Sequence, residues 1–376
     1  MEKPDLGPEL ERMTTYCTYC PKMCRFSCPT AAAEARETAT PWAMMRLLEL
    51  SRDGSVELDE SVAEAFYHCT GCRRCQAFCR HDNDVPRALW KARSWAVENG
   101  FMPEAFEPMA RNFESHGTPF EEPQPEIDTT AFDAEGSIAF WPDCSTVQHR
   151  PETIGRIGRL LARITGEKIR LIQMDDVGST PCCGFPLTAA GIEDGGGCRE
   201  DLWPSLKGVS FVWTDCPALA AWNHSGSSWP LAPRPDDPTM GHIFTLLSER
   251  LSELPPPENL LDLGDTLLHE SCFVSRQIDA LDDVQNILAK ISRTPPEKMA
   301  YEGKESPCCG GRVHYRMLEP EGSEKAAATV LEALDRNQGQ ERMVTTSAMC
   351  HHALEQAGPD SLVTSLLELL CEAYDC

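Results

Sequence analysis

The chain has 376 residues, and 34 Lys and Arg oppose 59 Asp and Glu, which gives a formal net charge of −25. A surface this acidic repels phosphate backbones and anionic lipid, so we expect neither nucleic acid nor direct docking on a bilayer. With no apolar segment at the start and no run of 18 apolar residues, the 19 cysteines predict metal or redox chemistry in a reducing compartment. We therefore expect a cytoplasmic protein, either free or peripheral to a membrane complex through another subunit.

The first elements along the chain are two runs of four cysteines. They are Cys17, Cys20, Cys24 and Cys28, followed by Cys69, Cys72, Cys75 and Cys79. The second run has the spacing C-x2-C-x2-C-x3-C, in which three thiolates hold one iron–sulfur cluster and the fourth holds another. The two runs predict two [4Fe-4S] clusters with crossed ligands. A zinc site is the alternative, although zinc normally takes four ligands in two Cys-x-x-Cys pairs.

The residues between and after these runs have helical patterns. Helices are predicted over 41–50, 61–68 and 86–99, and the gap between the runs is long for a ferredoxin built on β-hairpins. We predict an all-helical ferredoxin-type domain over residues 1–116. Residues 117–136 have no periodicity and read as a linker.

Beyond the linker, strands and helices alternate twice, which predicts two pseudo-repeated α/β lobes with largely parallel sheets, at 137–241 and 264–376. Strands are expected at 137–141, 168–174, 209–214, 266–269 and 342–347, and helices near 154–164, 278–291, 323–337 and 361–374. Residues 222–239 read as a connection rich in Pro and Ser. The overall fold class is therefore α+β and multidomain.

Each lobe carries one lone cysteine, one Cys-Cys-Gly and one later cysteine. The sets are Cys144, Cys182, Cys183 and Cys216 in the first lobe, and Cys272, Cys308, Cys309 and Cys350 in the second. Adjacent cysteines strain to chelate one zinc but can ligate different irons of a cluster. We expect these residues to be metal ligands at the carboxyl edges of the two sheets.

This arrangement resembles the CCG-domain iron–sulfur family. The family includes the CCG-containing subunit of heterodisulfide reductase, the iron–sulfur subunits of glycolate oxidase and of anaerobic glycerol-phosphate dehydrogenase, and the lactate-utilisation iron–sulfur protein. Its pattern ends in Cys-x-x-Cys, and aligning both lobes on the first of these cysteines puts Leu219 and Ala353 at the last. The resemblance implies a cluster in the second lobe. The first lobe, with no obvious helix after Cys-Cys-Gly, is expected to hold a second such cluster or none. Cys198 is either a substitute ligand there or a loop cysteine.

The resemblance implies an iron–sulfur electron-transfer subunit of an oxidoreductase complex. No Gly-rich dinucleotide fingerprint is present, so a flavoprotein dehydrogenase, a quinone or membrane subunit, or a thiol/disulfide partner must complete the reaction. Two alternatives stay open. One is a heterodisulfide-reductase-like catalytic subunit that reduces a small disulfide at a CCG cluster. The lack of a fifth cysteine in each lobe, at the last position of Cys-x-x-Cys, disfavours this alternative. The other is a zinc-bound or metal-free CCG scaffold for complex assembly.

Overall fold

The computed structural model describes residues 3–174, 179–192, 206–221, 224, 238–337, 339–359 and 361–376. Within these residues a helical N-terminal domain precedes two parallel sheets with helices around them. The predicted multidomain α+β fold is confirmed. None of the described helices is long and apolar enough to cross a membrane.

The N-terminal domain is built from α-helices and short 3-10 helices. The α-helices are α1 Gly7–Tyr19, α2 Pro29–Glu34, α3 Pro41–Asp53, α4 Glu60–Ala65, α5 Arg74–Ala77, α6 Val85–Glu98 and α7 Glu107–His116. Helix α3 shows why the sequence folds this way. The Thr40 side chain caps its first turn by accepting from the Ala43 N–H, Pro41 occupies the first position, and Gly54 ends it at φ +84°.

The first lobe has a four-stranded parallel sheet in the order β2-β1-β3-β4. Its strands are β1 Ile138–Phe140, β2 Ile169–Leu171, β3 Phe211–Thr214 and β4 Thr239–His242. Its helices are α8 Cys144–His149, α9 Pro151–Thr165, α10 Phe185–Ala189, α11 Pro217–Ala221 and α12 Ile243–Glu249. Strand β4 begins at the end of the segment predicted as a connection and runs one residue past the predicted lobe boundary at 241. Helix α10 directly follows Cys-Cys-Gly, where no helix was obvious from the sequence.

The second lobe has the equivalent sheet, β8-β6-β9-β10, and every pair in it is parallel. Its strands are β6 Thr266–His269, β8 Glu297–Lys298, β9 Arg342–Thr345 and β10 Val363–Ser365, and β5 Leu261–Asp262 pairs with β7 Ser292–Thr294 beside it. Its helices are α13 Cys272–Arg276, α14 Leu281–Ile291, α15 Val313–Leu318, α16 Pro320–Arg336, α17 Ala348–Ala357 and α18 Leu366–Ala373. The predicted helix at 361–374 was wrong in its first part, because residues 363–365 form edge strand β10.

The two lobes exchange their last helices. Helix α12, which follows the fourth strand of the first lobe, packs on α14 of the second, and α18 packs on α9 of the first. One apolar core therefore contains side chains from both lobes, among them Ile157, Phe244, Leu288 and Leu370. The linker also packs: the Phe132 and Phe140 rings lie 6.3 Å apart in a stacked arrangement. The lobes form one packed unit because neither buries its apolar helix faces alone.

Candidate metal centres

The eight N-terminal cysteines fall into two neighbouring groups. The first thiol group is Cys17, Cys20, Cys24 and Cys79; burial raises the pKa of Cys17 to about 12, and Cys24, Cys79 and Cys20 add to the rise. The second thiol group is Cys28, Cys69, Cys72 and Cys75; burial likewise raises the pKa of Cys28 to about 12, and its charged neighbours are Cys72 and Cys69. The last cysteine of each run therefore lies beside the other run, as the crossed spacing predicts. The assignment of these thiols as ligands stays a prediction.

Polar hydrogens point at several of these sulfurs. The Asn83 side-chain amide donates to Cys17 Sγ over 3.1 Å, and the Gly71 N–H donates to Cys69 Sγ over 3.4 Å. Gly71 has a φ of +74°, and a Cβ there would lie 3.1 Å from the Trp90 ring. A glycine is required because the turn is left-handed and the loop presses against an aromatic side chain.

The third thiol group, in the first lobe, is Cys144, Cys182, Cys183 and Cys216. The Sγ atoms of Cys144 and Cys182 are 3.4 Å apart, and Cys183 has the thiols of both Cys182 and Cys216 as hydrogen-bonding neighbours. All four are buried. Strands β1 and β3 are paired, so Cys144 and Cys216 reach the same sheet edge, where the Cys-Cys-Gly turn meets them.

The fourth thiol group, in the second lobe, repeats this arrangement with Cys272, Cys308, Cys309 and Cys350. Cys308 has Cys272 and Cys309 as thiol neighbours, and Cys309 has Cys308 and Cys350. The Gly310 N–H donates to Cys308 Sγ over 3.4 Å, and the glycine has a φ of +74°. Among the described residues, the eight lobe cysteines predicted as metal ligands are therefore gathered into two clusters of four.

Strand register changes the alignment of the last cysteines. Strands β3 and β9 end at Thr214 and Thr345, and helices α11 and α17 begin immediately after Cys216 and Ser347. Ser347 thus occupies the position of Cys216. Cys350 is at the third position of α17, as Leu219 is in α11. The sequence-based alignment was wrong for the second lobe: Ser347, and not Ala353, stands where that lobe lacks a cysteine.

The second and fourth thiol groups touch. A hydrogen bond with Cys308 is the largest influence on the Cys72 thiol and lowers its pKa. The Thr70 hydroxyl is 3.7 Å from Cys308 Sγ. Around this contact, Arg276 Nε donates to the Cys72 carbonyl, and the Gln277 amide donates to the Gly71 carbonyl over 3.2 Å. The N-terminal domain is therefore docked on the second lobe through its cysteine loop.

Among the buried arginines around the thiol groups, sequence reasoning missed three that lie outside the cysteine runs. They are Arg276 at the Cys72 carbonyl, the fully buried Arg93, and Arg312, which lies 3.3 Å above the Phe273 ring with Cys272 as a charged neighbour. The sequence does contain a signal for two of these arginines, because Arg93 interrupts the apolar face of α6 and Arg312 directly follows Cys-Cys-Gly-Gly. A buried arginine needs partners, and thiolates and carbonyls are partners of that kind.

The two histidines that follow Cys350 and the last two cysteines of the chain are not part of the four thiol groups. His351 is buried, and its Nε2 lies 3.2 Å from the Val363 carbonyl, so it packs within the lobe. His352 stacks on His149 with ring centroids 3.6 Å apart, at the wall of a cleft of about 700 Å³ that also contains Arg316. Cys371 and Cys376 are close to each other on α18 and the chain end. Cys198 lies outside the described residues.

These donor sets fit iron–sulfur clusters. Thiolate sulfur is the preferred ligand of such clusters, and N–H groups directed at sulfur are a usual feature of their surroundings. Burial raises the pKa of Cys75 well above its ordinary value, so its thiol stays protonated unless a metal displaces the proton. Buried thiols packed this closely repel one another once ionised, which a bound cation relieves.

Comparison with known protein families agrees with this geometry. Residues 13–83 match the family model of a 4Fe-4S dicluster domain, and residues 266–355 match that of the CCG cysteine-rich domain. The two matches cover separate parts of the chain and are consistent with the CCG iron–sulfur family. No curated protein matches it significantly. The dicluster match contains all eight N-terminal ligand candidates, and the CCG match contains the whole fourth thiol group.

Proposed function

We propose that this CCG iron–sulfur protein is the electron-transfer subunit of an oxidoreductase complex. In this proposal the first and second thiol groups each hold a [4Fe-4S] cluster, and the fourth and third groups each hold a further iron–sulfur centre. When bound, such clusters accept and release single electrons. The chain's own residues hold them, bury them and set their surroundings.

The contact between Cys72 and Cys308 carries the proposal. It joins the ligand candidates of a ferredoxin cluster to those of the second lobe, with Thr70 beside them. A protein that only bound metal for stability would have no need to bring two ligand sets into contact across a domain boundary. Further hydrogen bonds cross the same boundary, among them the one that Arg74 Nε donates to the Glu305 carbonyl over 2.8 Å.

The partner belongs to the proposal as well. Coupling single-electron clusters to a two-electron substrate requires a flavin or another hydride-handling cofactor. We therefore propose a flavoprotein, quinone-reducing or thiol/disulfide partner, in the cytoplasm or at the surface of a membrane complex. Direct disulfide cleavage by this chain is less favoured, because the fifth cysteine position is Leu219 in the first lobe and Ser347 in the second.

The test is magnetic coupling between centres in the full chain, reconstituted anaerobically with iron and sulfide. On reduction, we expect electron paramagnetic resonance signals broadened or split by spin–spin interaction between neighbouring centres. Cys308→Ser should remove the part of the splitting that comes from the fourth thiol group and leave the mutual coupling of the first and second groups. Uncoupled signals in the unmodified chain, or zinc in place of iron in all four groups, would overturn the proposal in favour of a scaffold.

A further inference from the structure

The two lobes have equivalent backbones around their thiol groups but different side chains. In the first lobe the Asp143 N–H donates to Asp215 Oδ1 over 2.7 Å. In the second lobe the Ser271 N–H donates to Thr346 Oγ1 over 2.9 Å, at the equivalent place. Two carboxylates therefore stand beside the third thiol group where two neutral hydroxyls stand beside the fourth.

Asp143 is almost completely buried, with 1 % of its surface exposed. Its carboxylate caps α8 by accepting from the Ser145 N–H over 2.8 Å. The thiols of Cys216 and Cys144 are also its hydrogen-bonding neighbours. A carboxylate between two cysteines that we assign to one metal centre is within the reach of that centre.

The charges around the two lobes differ accordingly. Cys272 of the fourth thiol group has two cations, Arg312 and Arg276, as charged neighbours. Near the third group, Arg312 is a charged neighbour of Asp143. Asp215 adds a second buried carboxyl group, which accepts a hydrogen bond from the Thr146 hydroxyl over 2.5 Å. Two carboxyls and four thiols share this buried place, and they can all ionise together only if a strongly cationic group binds among them, because unpaired buried charges are costly.

We propose that Asp143 supplies an oxygen ligand to an iron centre held by Cys144, Cys182, Cys183 and Cys216. Carboxylate oxygen is a normal ligand of iron, and it is harder than thiolate sulfur. The two lobes then hold chemically different centres: one with sulfur and oxygen ligands, and one with cysteine sulfur ligands among cations. The inference rests on the proposed function only in requiring that the first-lobe thiols bind iron.

The test uses the full chain reconstituted with ⁵⁷Fe, and reads iron content and Mössbauer spectra. We expect the unmodified chain to show an iron subsite with the larger isomer shift of oxygen ligation. Asp143→Ser, which installs the side chain of the second lobe, should abolish that subsite. Asp143→Asn preserves a capping side chain and should also lose it. Asp143→Cys should retain the iron without the oxygen-type subsite.

A matched control is Asp59→Ser, because Asp59 caps α4 by accepting from the Val62 N–H over 2.9 Å and is exposed. Its spectrum should equal that of the unmodified chain. An unchanged spectrum in Asp143→Ser would overturn the assignment. So would a first lobe that takes up no iron, or that takes up zinc, while the centres near Cys72 and Cys308 stay spin-coupled. That last outcome would leave the proposed function intact.

Discussion

Arg93 connects the N-terminal domain to both lobes through one fully buried guanidinium. It donates to the Cys69 and Ala189 carbonyls, each over 2.6 Å, and to the Phe66 carbonyl over 2.9 Å. His314 Nε2, from the second lobe, is 3.3 Å away. Arg93 thus provides hydrogen-bond donors for the carbonyl of Cys69, a ligand candidate, and for the carbonyl of Ala189 at the end of α10. Its location explains how one side chain positions the cysteine loop against the rest of the molecule.

We expect Arg93→Met to lower the free energy of unfolding by about 3–5 kcal/mol. Methionine fills a similar volume but removes the buried donor to the Phe66 and Ala189 carbonyls, at a cost of about 1–3 kcal/mol each, and leaves the Cys69 carbonyl beside His314 Nε2, 3.0 Å away. Urea unfolding followed by tryptophan fluorescence measures the change. Arg111→Met is the control, because Arg111 pairs with Glu107 at the surface; it should shift stability by less than about 0.5 kcal/mol. Equal stabilities for the two variants would show that Arg93 has no such role.

At the scale of elements, the exchanged helices α12 and α18 determine how the lobes are joined. The Arg163 guanidinium of α9 donates to the Tyr374 carbonyl over 2.9 Å, and Arg156 donates to the Cys376 carbonyl over 2.7 Å. The Ser365 hydroxyl begins α18 in a capping box with Glu368. The end of the chain is therefore part of the packing of the first lobe.

Leu370→Ala should destabilise the protein by about 2–5 kcal/mol, because Leu370 is 1 % exposed in the core that both lobes share. The informative measurement is hydrogen exchange of α9, in the other lobe, which should become faster. Leu260→Ala is the control, since Leu260 is 51 % exposed. Faster exchange confined to the second lobe would contradict the exchange of helices.

At the scale of the whole molecule, four thiol groups form a connected set of sites. Cys24 of the first group is a charged neighbour of Cys75 in the second, and the second group touches the fourth through Cys72 and Cys308. Arg312 is a charged neighbour both of Cys272 in the fourth group and of Asp143 beside the third. Trp90 of the N-terminal domain and Phe273 of the second lobe both pack on Phe185, beside Cys183. Both lobes therefore share one interior with the ferredoxin-type domain.

Cys183→Ser and Cys309→Ser should lose comparable amounts of iron and lower the melting temperature similarly. The sequence favoured a larger effect at Cys309, but the structure gathers four buried thiols in each lobe, and metal binding to such a site contributes to folding. Iron analysis and thermal melting of the full chain measure both effects. Cys371→Ser, remote from the four groups, should retain all iron. If Cys183→Ser also retained all of it, the first lobe would not be a metal site.

Local patterns in the sequence determined the cysteine runs, the duplicated lobes and the strands β1, β3, β6 and β9. These features depend on ligand spacing, and on apolar segments that are buried wherever the strand is paired. Edge strands β4 and β10 escaped prediction because they are short and lie beside polar or Pro-rich segments, so pairing rather than composition makes them strands. The equivalence of Ser347 and Cys216 was not predicted either, because only the ends of strands β3 and β9 align the two lobes at that point.

Contacts between distant residues were decided by the tertiary structure alone. Cys72 and Cys308 are more than 200 residues apart, as are Arg276 and the Cys72 carbonyl that it binds. Asp143 in the sequence is one acidic residue before a cysteine; its burial against two thiols follows from the pairing of β1 with β3. Spacing along the chain predicts which residues can share a metal, because ligands within one turn are close in any fold. Which groups then meet, and with which charges around them, depends on how the sheets and helices pack.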